Sequence, residues 1–462
     1  SLLAARRKEL HRRAGEALEV VFADRLGEFQ SVLAEHFRRA EAWERAVAYL
    51  VPAGDAAARL FAVREAAQHY QYALDALAQL PVSAETQRQR VDLLIKRVSV
   101  SLLADKPDEN LARLAEAQAL VSTGPGPAGP ADPDPRQRAW IAFLLGRVCH
   151  YQNRMPEAIG HFRQVLALAA DLGDPELLAL PSSVIGQALS VQGRFTQAEA
   201  LLRQAVASLD QIGNGPEWVR AAGYWGNALT AIGQWPAGRD AGQQCIQRAL
   251  DLRSPPALLT ARYVMSFNYM AAGQTQAALE EVRRVAELAQ QHEQWVNLYA
   301  AYPVQAWAES RLGDHDGAQG SMARCDEMAR QLGGRLILAD VFAAIRAELA
   351  VNAGRYAEAI PLAAQALEVS RAAGGLLSES IAQRTWGQAL AALDPPDWAA
   401  AESHLAAALT AAENGGNRME AAHTHRAWSR LAARRGDAAA ARAHRAQVAA
   451  QLAESGLDWP LD

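Results

Sequence analysis

A chain of 462 residues exceeds one ordinary compact domain, so it is either multidomain or an array of repeats. Half of it is hydrophobic but aromatics make up only 6%, leaving alanine and leucine, both strong helix formers, to carry most of the apolar content. A net charge of −5 gives no reason to expect a nucleic acid or an acidic lipid as partner.

No apolar run approaches the roughly 20 residues that cross a bilayer, and no secretory leader is expected. Cys149, Cys245 and Cys325 are odd in number and far apart, which predicts reduced, buried thiols in a cytoplasmic protein. The chain opens on SLLAARRKELHRR, without a Met and already in helical register, as expected of a fragment of a longer protein.

Residues 1–121 form the first region, with a less regular helical pattern. FRRAEAWERAVAYL (37–50), LFAVREAAQHYQYALDAL (60–77) and residues 85–121, bent at Pro107, predict helix pairs. The five Lys/Arg of ARRKELHRR are followed by Glu16 and Glu19, which favours a solvated or domain-contacting helix face over a DNA site. Next, STGPGPAGPADPDP (122–135) cannot be helical, and its prolines predict a semi-rigid linker: a boundary between two helical arrays or a marked bend, with a long surface loop on one continuous solenoid as the alternative.

From 136 to 462 the chain repeats. Gly193, Gly233, Gly273 and Gly313 recur at one even interval, and Gly354 and Gly436 continue the register. Asn153 stands one period before Gly193, and Pro395 and Pro396 stand where one glycine is missing. Glycine, or asparagine in its place, suits the left-handed residue that ends a helix. Five positions after this turn the side chain is small (Ala158, Ala198, Gly238, Ala278, Ala318, Ala359, Ala441). Seven before it, it is small again (Gly146, Gly186, Gly226, Ser266, Ala306, Ala347, Ser429). Two small sites bracketing a tight turn let antiparallel helices approach closely, and bulk there would cost about 1–3 kcal/mol. Pro175, Pro216 and Pro255 open new helices, with Asp174 and Ser254 available as caps. The expectation is eight units of helix, tight turn, helix and loop.

The Gly-x-aromatic-x-x-Ala turn, as in GRFTQA (193–198) and GRYAEA (354–359), resembles the tetratricopeptide repeat. The usual form of that repeat is shorter, about 34 residues. The fold class expected is therefore all-α: a tetratricopeptide-like α-solenoid superhelix with an extended repeat of about 40 residues. HEAT and armadillo repeats have a suitable period but lack this turn. Residues 1–80, from SLLAARRKELHRRAGEALE onward, resemble the junction that follows the ATPase core of bacterial signal-transduction (STAND/AAA-type) ATPases. These include adenylate/guanylate cyclase–ATPase fusions and LuxR-type regulators such as the maltose-regulon activator. The resemblance implies that residues 1–121 follow an absent ATPase core, and that this module is an intramolecular partner.

The sequence holds no phosphate loop, no H-E-x-x-H, C-x-x-C or G-x-S-x-G motif and no candidate catalytic pair. The two histidines of HTH (423–425) lie on different helical faces, poor geometry for a metal. The fragment is thus expected to be non-enzymatic and without a cofactor. In a superhelix of this kind the first helix of each pair lines the concave side, and positions 13, 10, 6 and 3 before the turn share one face. The candidate groove residues are Arg147, His150, Gln187, Arg220, Asn227, Tyr263, Phe267, Trp307, Glu348, Arg384 and Gln388, with His423, Arg426 and Arg430 in the last unit. Aromatic anchors beside Arg, Asn and Gln suit a ligand groove. Packing between neighbouring first helices is the competing reading. The expected function is a sensor or regulatory domain that binds a partner protein, peptide or small-molecule effector within a larger ATPase. The alternative is a free-standing scaffold.

Overall fold

The computed structural model describes residues 2–123, 134–332 and 337–459. Most of the expected linker at 122–135 lies outside the described residues. Every regular element among them is helical. Two compact units are present: residues 1–148 with 167–173, and residues 149–166 with 174–462.

The first unit contains α1 (Leu2–Val21), α2 (Gln30–Arg39), α3 (Trp43–Arg59), α4 (Val63–Leu77), α5 (Ala84–Ser101) and α6 (Pro107–Thr123), then most of α7 (Pro135–Tyr151). Its core includes Leu33, Phe37, Leu50, Leu94 and Leu114, all but inaccessible to solvent. The α3 backbone approaches α4 so closely that a Cβ on Gly54 would lie 2.6 Å from the Tyr70 ring. The basic face of α1 is internally balanced: Arg12 bonds Glu9 (2.7 Å) and Glu16 (2.8 Å), and Arg13 bonds Glu9 (2.7 Å).

α8 (Met155–Leu172) is shared between the units. The second unit continues as helix pairs: α9 (Pro175–Val191) with α10 (Phe195–Gln211), and α11 (Gly215–Ala231) with α12 (Trp235–Asp251). Next come α13 (Pro255–Ala271) with α14 (Thr275–Gln291), and α15 (Trp295–Arg311) with α16 (His315–Gln331). The last are α17 (Ala339–Asn352) with α18 (Tyr356–Ala373), α19 (Leu376–Ala392) with α20 (Trp398–Gly415), and α21 (Arg418–Arg435) with α22 (Ala438–Ser455). The architecture is an all-helical, tetratricopeptide-like solenoid whose repeat is longer than the usual one, at about 40 residues.

The turn register is where the sequence places it. Gly193, Gly233, Gly273, Gly313, Gly354 and Gly436 all have φ between 72° and 93°, and Asn153 has φ 59°. The small positions are contact points. Ala158, Ala198, Ala278 and Ala359 are fully buried. A Cβ on Gly238 would lie 2.6 Å from the Gly226 carbonyl oxygen, so α11 and α12 touch backbone to backbone.

A second left-handed register, not foreseen, closes the loops between pairs: Gly173, Gly213, Gly374, Gly416 and Gly456, with Arg253 (φ 49°) and Glu293 (φ 53°) in line. It escapes a search for glycine because two members carry side chains.

Successive turns of the second unit's superhelix rest on each other. The Leu376 amide donates to the Gln192 carbonyl (2.7 Å) and the Ile337 amide to the Tyr151 carbonyl (2.8 Å). The Trp459 indole donates to the Ala272 carbonyl (2.7 Å), across 187 residues. A full superhelical turn therefore takes between four and five repeats. The contact needs bare backbone: a Cβ on Gly193 would meet the Leu377 amide nitrogen at 2.4 Å.

The second turn register gives a clean test of left-handed cost, since Arg253 is exposed and a Cβ on Gly213 would meet nothing within 4 Å. Arg253→Gly should stabilise the chain, and Gly213→Ala destabilise it, each by about 1 kcal/mol. Denaturant midpoints of the two variants, measured against the parent, check this.

Candidate functional site

The first helices of the pairs carry polar side chains inward, and tight winding brings them together across repeats. The Ser190 hydroxyl donates to Asn227 Oδ1 (2.9 Å), and Asn227 Nδ2 donates to Asn268 Oδ1 (3.0 Å). Three consecutive first helices, α9, α11 and α13, are thereby joined. Gln187 donates to Ser183 within α9 (3.2 Å).

Further along, Tyr263, Phe267 and Trp307 form an edge-to-face run with centroids 5.4 and 6.4 Å apart. Trp307 is 5% exposed and belongs to the core. Its indole donates to Glu348 Oε1 (2.9 Å). The same oxygen accepts from Arg311 Nε (2.8 Å), while Glu348 Oε2 accepts from an Arg384 terminal nitrogen (2.9 Å). Arg384 Nε then donates to Glu420 Oε1 (2.5 Å). An unbroken chain of charge runs through α15, α17, α19 and α21.

The two carboxylates respond oppositely. Burial alone would raise Glu348, but the Arg311 and Arg384 guanidiniums hold it well below the usual carboxylate range. At Glu420 burial prevails over Arg384, and the carboxyl is raised. Burial, reinforced by Arg311 and Arg384, pushes the His423 imidazole well below its ordinary value.

Beside this chain lies a cavity of about 700 Å3. Arg311, Glu348, Arg384, Gln388, Arg426 and Arg430 face it from the inner helices. The Ala272–Thr275 turn and the segment Gly456–Trp459 wall it off. Trp459 stacks on His423 (centroids 4.4 Å, 25° between planes) and is itself pinned to Ala272.

Of the candidate groove residues, Glu348, Arg384, Gln388, His423, Arg426 and Arg430 line this cavity. Asn227, Tyr263, Phe267 and Trp307 line the interior above it as partners of one another or of the charged chain. Arg220 lies elsewhere, donating to the Tyr151 hydroxyl (3.0 Å) and pairing with Glu217 (3.3 Å). His150 packs edge-on against Tyr151. Arg147 belongs to the first unit and sits over Phe143, 5.8 Å from its ring centroid.

Arg311, Asn352, Glu420 and Trp459 also build the site and escape the sequence reading. Arg311 and Asn352 stand two positions before their turns, one step off those counted as inward. Trp459 follows the last repeat. The three cysteines are buried and free, and burial pushes the Cys245 and Cys325 thiols up to about 12. Among the described residues no cluster of His, Cys, Asp and Glu could hold a metal ion. None of their helices is long and apolar enough to cross a membrane.

Residues 137–211 match the tetratricopeptide repeat family. No curated protein matches the chain in sequence. Among solved structures, the chain is similar to a Rap protein complexed with Competence and Sporulation Factor. That likeness has 12% identity and a TM-score of 0.59, over 81% of this chain and 99% of that one. It is also similar to the Rap conjugation gene regulator of plasmid pLS20 in complex with the Phr* peptide, at 14% identity and TM-score 0.54, over 64% and 76%. A third likeness is to the APC/C hetero-tetramer Cut9–Hcn1, at 15% identity and TM-score 0.53, over 97% and 85%. At such identities these likenesses establish the fold.

The charged chain makes two predictions. Glu348→Gln leaves Arg311 and Arg384 buried without their shared anion and should cost about 3–5 kcal/mol. Glu420→Gln should cost less, because it removes the partner of one arginine where Glu348→Gln removes the anion shared by two. Chemical denaturation near neutral pH compares them.

The second concerns acid. A histidine whose folded value is depressed contributes stability that is full above its unfolded value, near 6.5, and is lost as pH falls below it. Below that pH the parent should lose up to about 1.4 kcal/mol per pH unit more than His423→Gln. Unfolding midpoints measured from pH 7.5 down to about 5 read the difference in slope.

Proposed function

We propose that this chain is a non-enzymatic sensor or regulatory domain whose superhelix interior receives an effector, and that it serves a larger signal-transduction ATPase. One observation carries the reading: a ligand-sized polar cavity opens at a point where arginines from several repeats converge. A solenoid that only spaced other proteins apart would have no need to hold charge inside, where each ion must be desolvated. The similar Rap structures are of complexes, one with Competence and Sporulation Factor and one with the Phr* peptide. Their likeness supports an interior that accepts a small partner. The ATPase context rests on the resemblance carried by residues 1–80. Under the same proposal, residues 1–121 adjoin that module, 122–135 link, and 136–462 form the receiving array.

Gln187, Asn227, Tyr263, Phe267 and Trp307 belong to the proposal as the interior framework, and Arg147, His150 and Arg220 as groove residues away from the cavity. Glu348, Arg384 and Gln388 belong as the wall of the receiving cavity. The effector acts by binding two superhelical states with different affinity.

The test is a thermal-shift screen of the chain against short peptides and small metabolites. A binder at 100 times its dissociation constant should stabilise by about 2.7 kcal/mol. Its effect should shrink in Gln388→Ala, which removes a wall amide that accepts from Arg384 (3.4 Å) and leaves both carboxylate partners of that arginine in place. A screen without binders, together with stable capture of folded proteins on the outer surface, would favour the free-standing scaffold.

A further inference from the structure

We propose that the seam between successive superhelical turns carries a pH-sensitive latch: a proton taken up by His423 releases Trp459 from the Ala272 turn while the rest of the second unit stays folded. The latch belongs to the winding itself and does not depend on what the cavity receives.

Trp459 occupies a socket built from both sides of the seam. It clusters with Met419 and Ala422 of α21 and with Val448 and Leu452 of α22, and Ala271 of α13 packs against the same cluster. Its indole donates to the Ala272 carbonyl (2.7 Å). The turn is bare where the indole approaches, for a Cβ on Gly273 would lie 2.6 Å from Trp459 Nε1. Beside it, a Cβ on Gly456 would meet the Pro236 ring of α12 at 3.5 Å. The imidazole of His423 lies against the indole face, with ring centroids 4.4 Å apart. His423 is therefore part of the socket that holds the latch shut.

That imidazole has no place for a charge. His423 Nε2 is buried and has no hydrogen-bond partner among the described residues. A proton there would be neither hydrated nor shared. The charged and titratable groups on the same cavity are Arg311 from α15, His315 from α16, Glu348 from α17 and Arg384 from α19. Arg426 and Arg430 from α21 and Asp458 from the terminal segment complete them among the described residues. Burial first, then Arg311 and Arg384, keep His423 neutral; Glu348 acts the other way but already accepts from both of those arginines. The indole face attracts a cation, yet it covers the ring and gives Nε2 no acceptor. His425 faces a different partner, with its Nδ1 3.0 Å from His444 Nδ1 on α22.

Lifting Trp459 uncovers the ring to the water of a cavity of about 700 Å3, where it takes a proton as an ordinary imidazole does. The closed latch holds the neutral form and the open latch accepts the proton. Closure is thus at full strength above the ordinary histidine value, near 6.5, and weakens about tenfold per pH unit below it.

Solvent exchange of indole protons tests this, read by heteronuclear NMR of the whole chain labelled at its 11 tryptophans. Trp459→Phe and Trp307→Phe identify the two signals that matter. Protection is expressed against a free indole at the same pH, from about pH 8 down to about 5. Protection of the Trp459 indole should be constant above neutrality and fall about tenfold per pH unit below about 6.5. The Trp307 indole, bonded to Glu348 in the interior (2.9 Å), should keep its protection. His423→Phe retains a ring that stacks but cannot titrate, and should remove the pH dependence of Trp459. His423→Gln should do the same, and decides the matter if His423→Phe fails to fold. His292→Gln, at an exposed histidine after α14, should leave the response as in the parent. The latch is refuted if Trp459 protection does not fall with pH, or falls equally in the folded His423 variant. It is refuted too if Trp307 loses protection in parallel, because acid then opens the whole interior rather than the seam.

Discussion

Close approach of helix backbones is the constraint from which the rest of the second unit follows. Where Gly226 faces Gly238, or Gly193 meets Leu377, no side chain separates the two segments. Helices held this near one another stack with a small offset per repeat, and a small offset winds a tight superhelix. The winding is tight enough for the turn at Gln192 to accept a hydrogen bond from the start of α19. Once successive turns touch, the inward faces of the first helices lose most of their water. Polar groups placed there must bond with one another. The Ser190–Asn227–Asn268 ladder and the Arg311–Glu348–Arg384–Glu420 chain are the outcome of that requirement.

Such pairing has an electrostatic limit. Glu348 takes donors from three residues on two other helices and stays ionised in spite of burial. Glu420, bonded among the described residues to the Arg384 guanidinium alone, is driven the other way by its burial, with the negative charge of Glu348 adding to it. The two inner carboxylates thus sit in different electrostatic surroundings although one arginine bonds both.

How much of this the sequence discloses depends on whether a structural demand leaves a chemical mark. A left-handed residue ending a helix favours glycine or asparagine, so the first turn register is readable from Asn153 to Gly436. The loop register is half hidden, because Arg253 and Glu293 take the same conformation without the mark. Steps of three and four put Asn227, Trp307, Glu348 and Arg384 on one helical face, and each bonds a neighbouring first helix. They do not tell which of these residues face open space, since each finds its partner 36 to 41 residues away, one repeat along, and the room left beside the pair is set by superhelical pitch. Pitch depends on contacts between turns, and those have no short-range signature. Trp459 is the extreme case. Nothing in GLDWPLD indicates that its indole returns to Ala272.

That return gives the site its mechanical meaning. The cavity is walled on one side by inner helices of the last four pairs and on the other by the turn after α13, which belongs to the preceding superhelical turn. Trp459 bridges the two walls by a single hydrogen bond and a ring stacked on His423. A ligand seated between them touches residues far apart in sequence but adjacent across the seam. Its binding free energy therefore acts on the contact between successive turns, the same contact that fixes the pitch. It changes the geometry to the extent that the ligand distinguishes a closed seam from an open one.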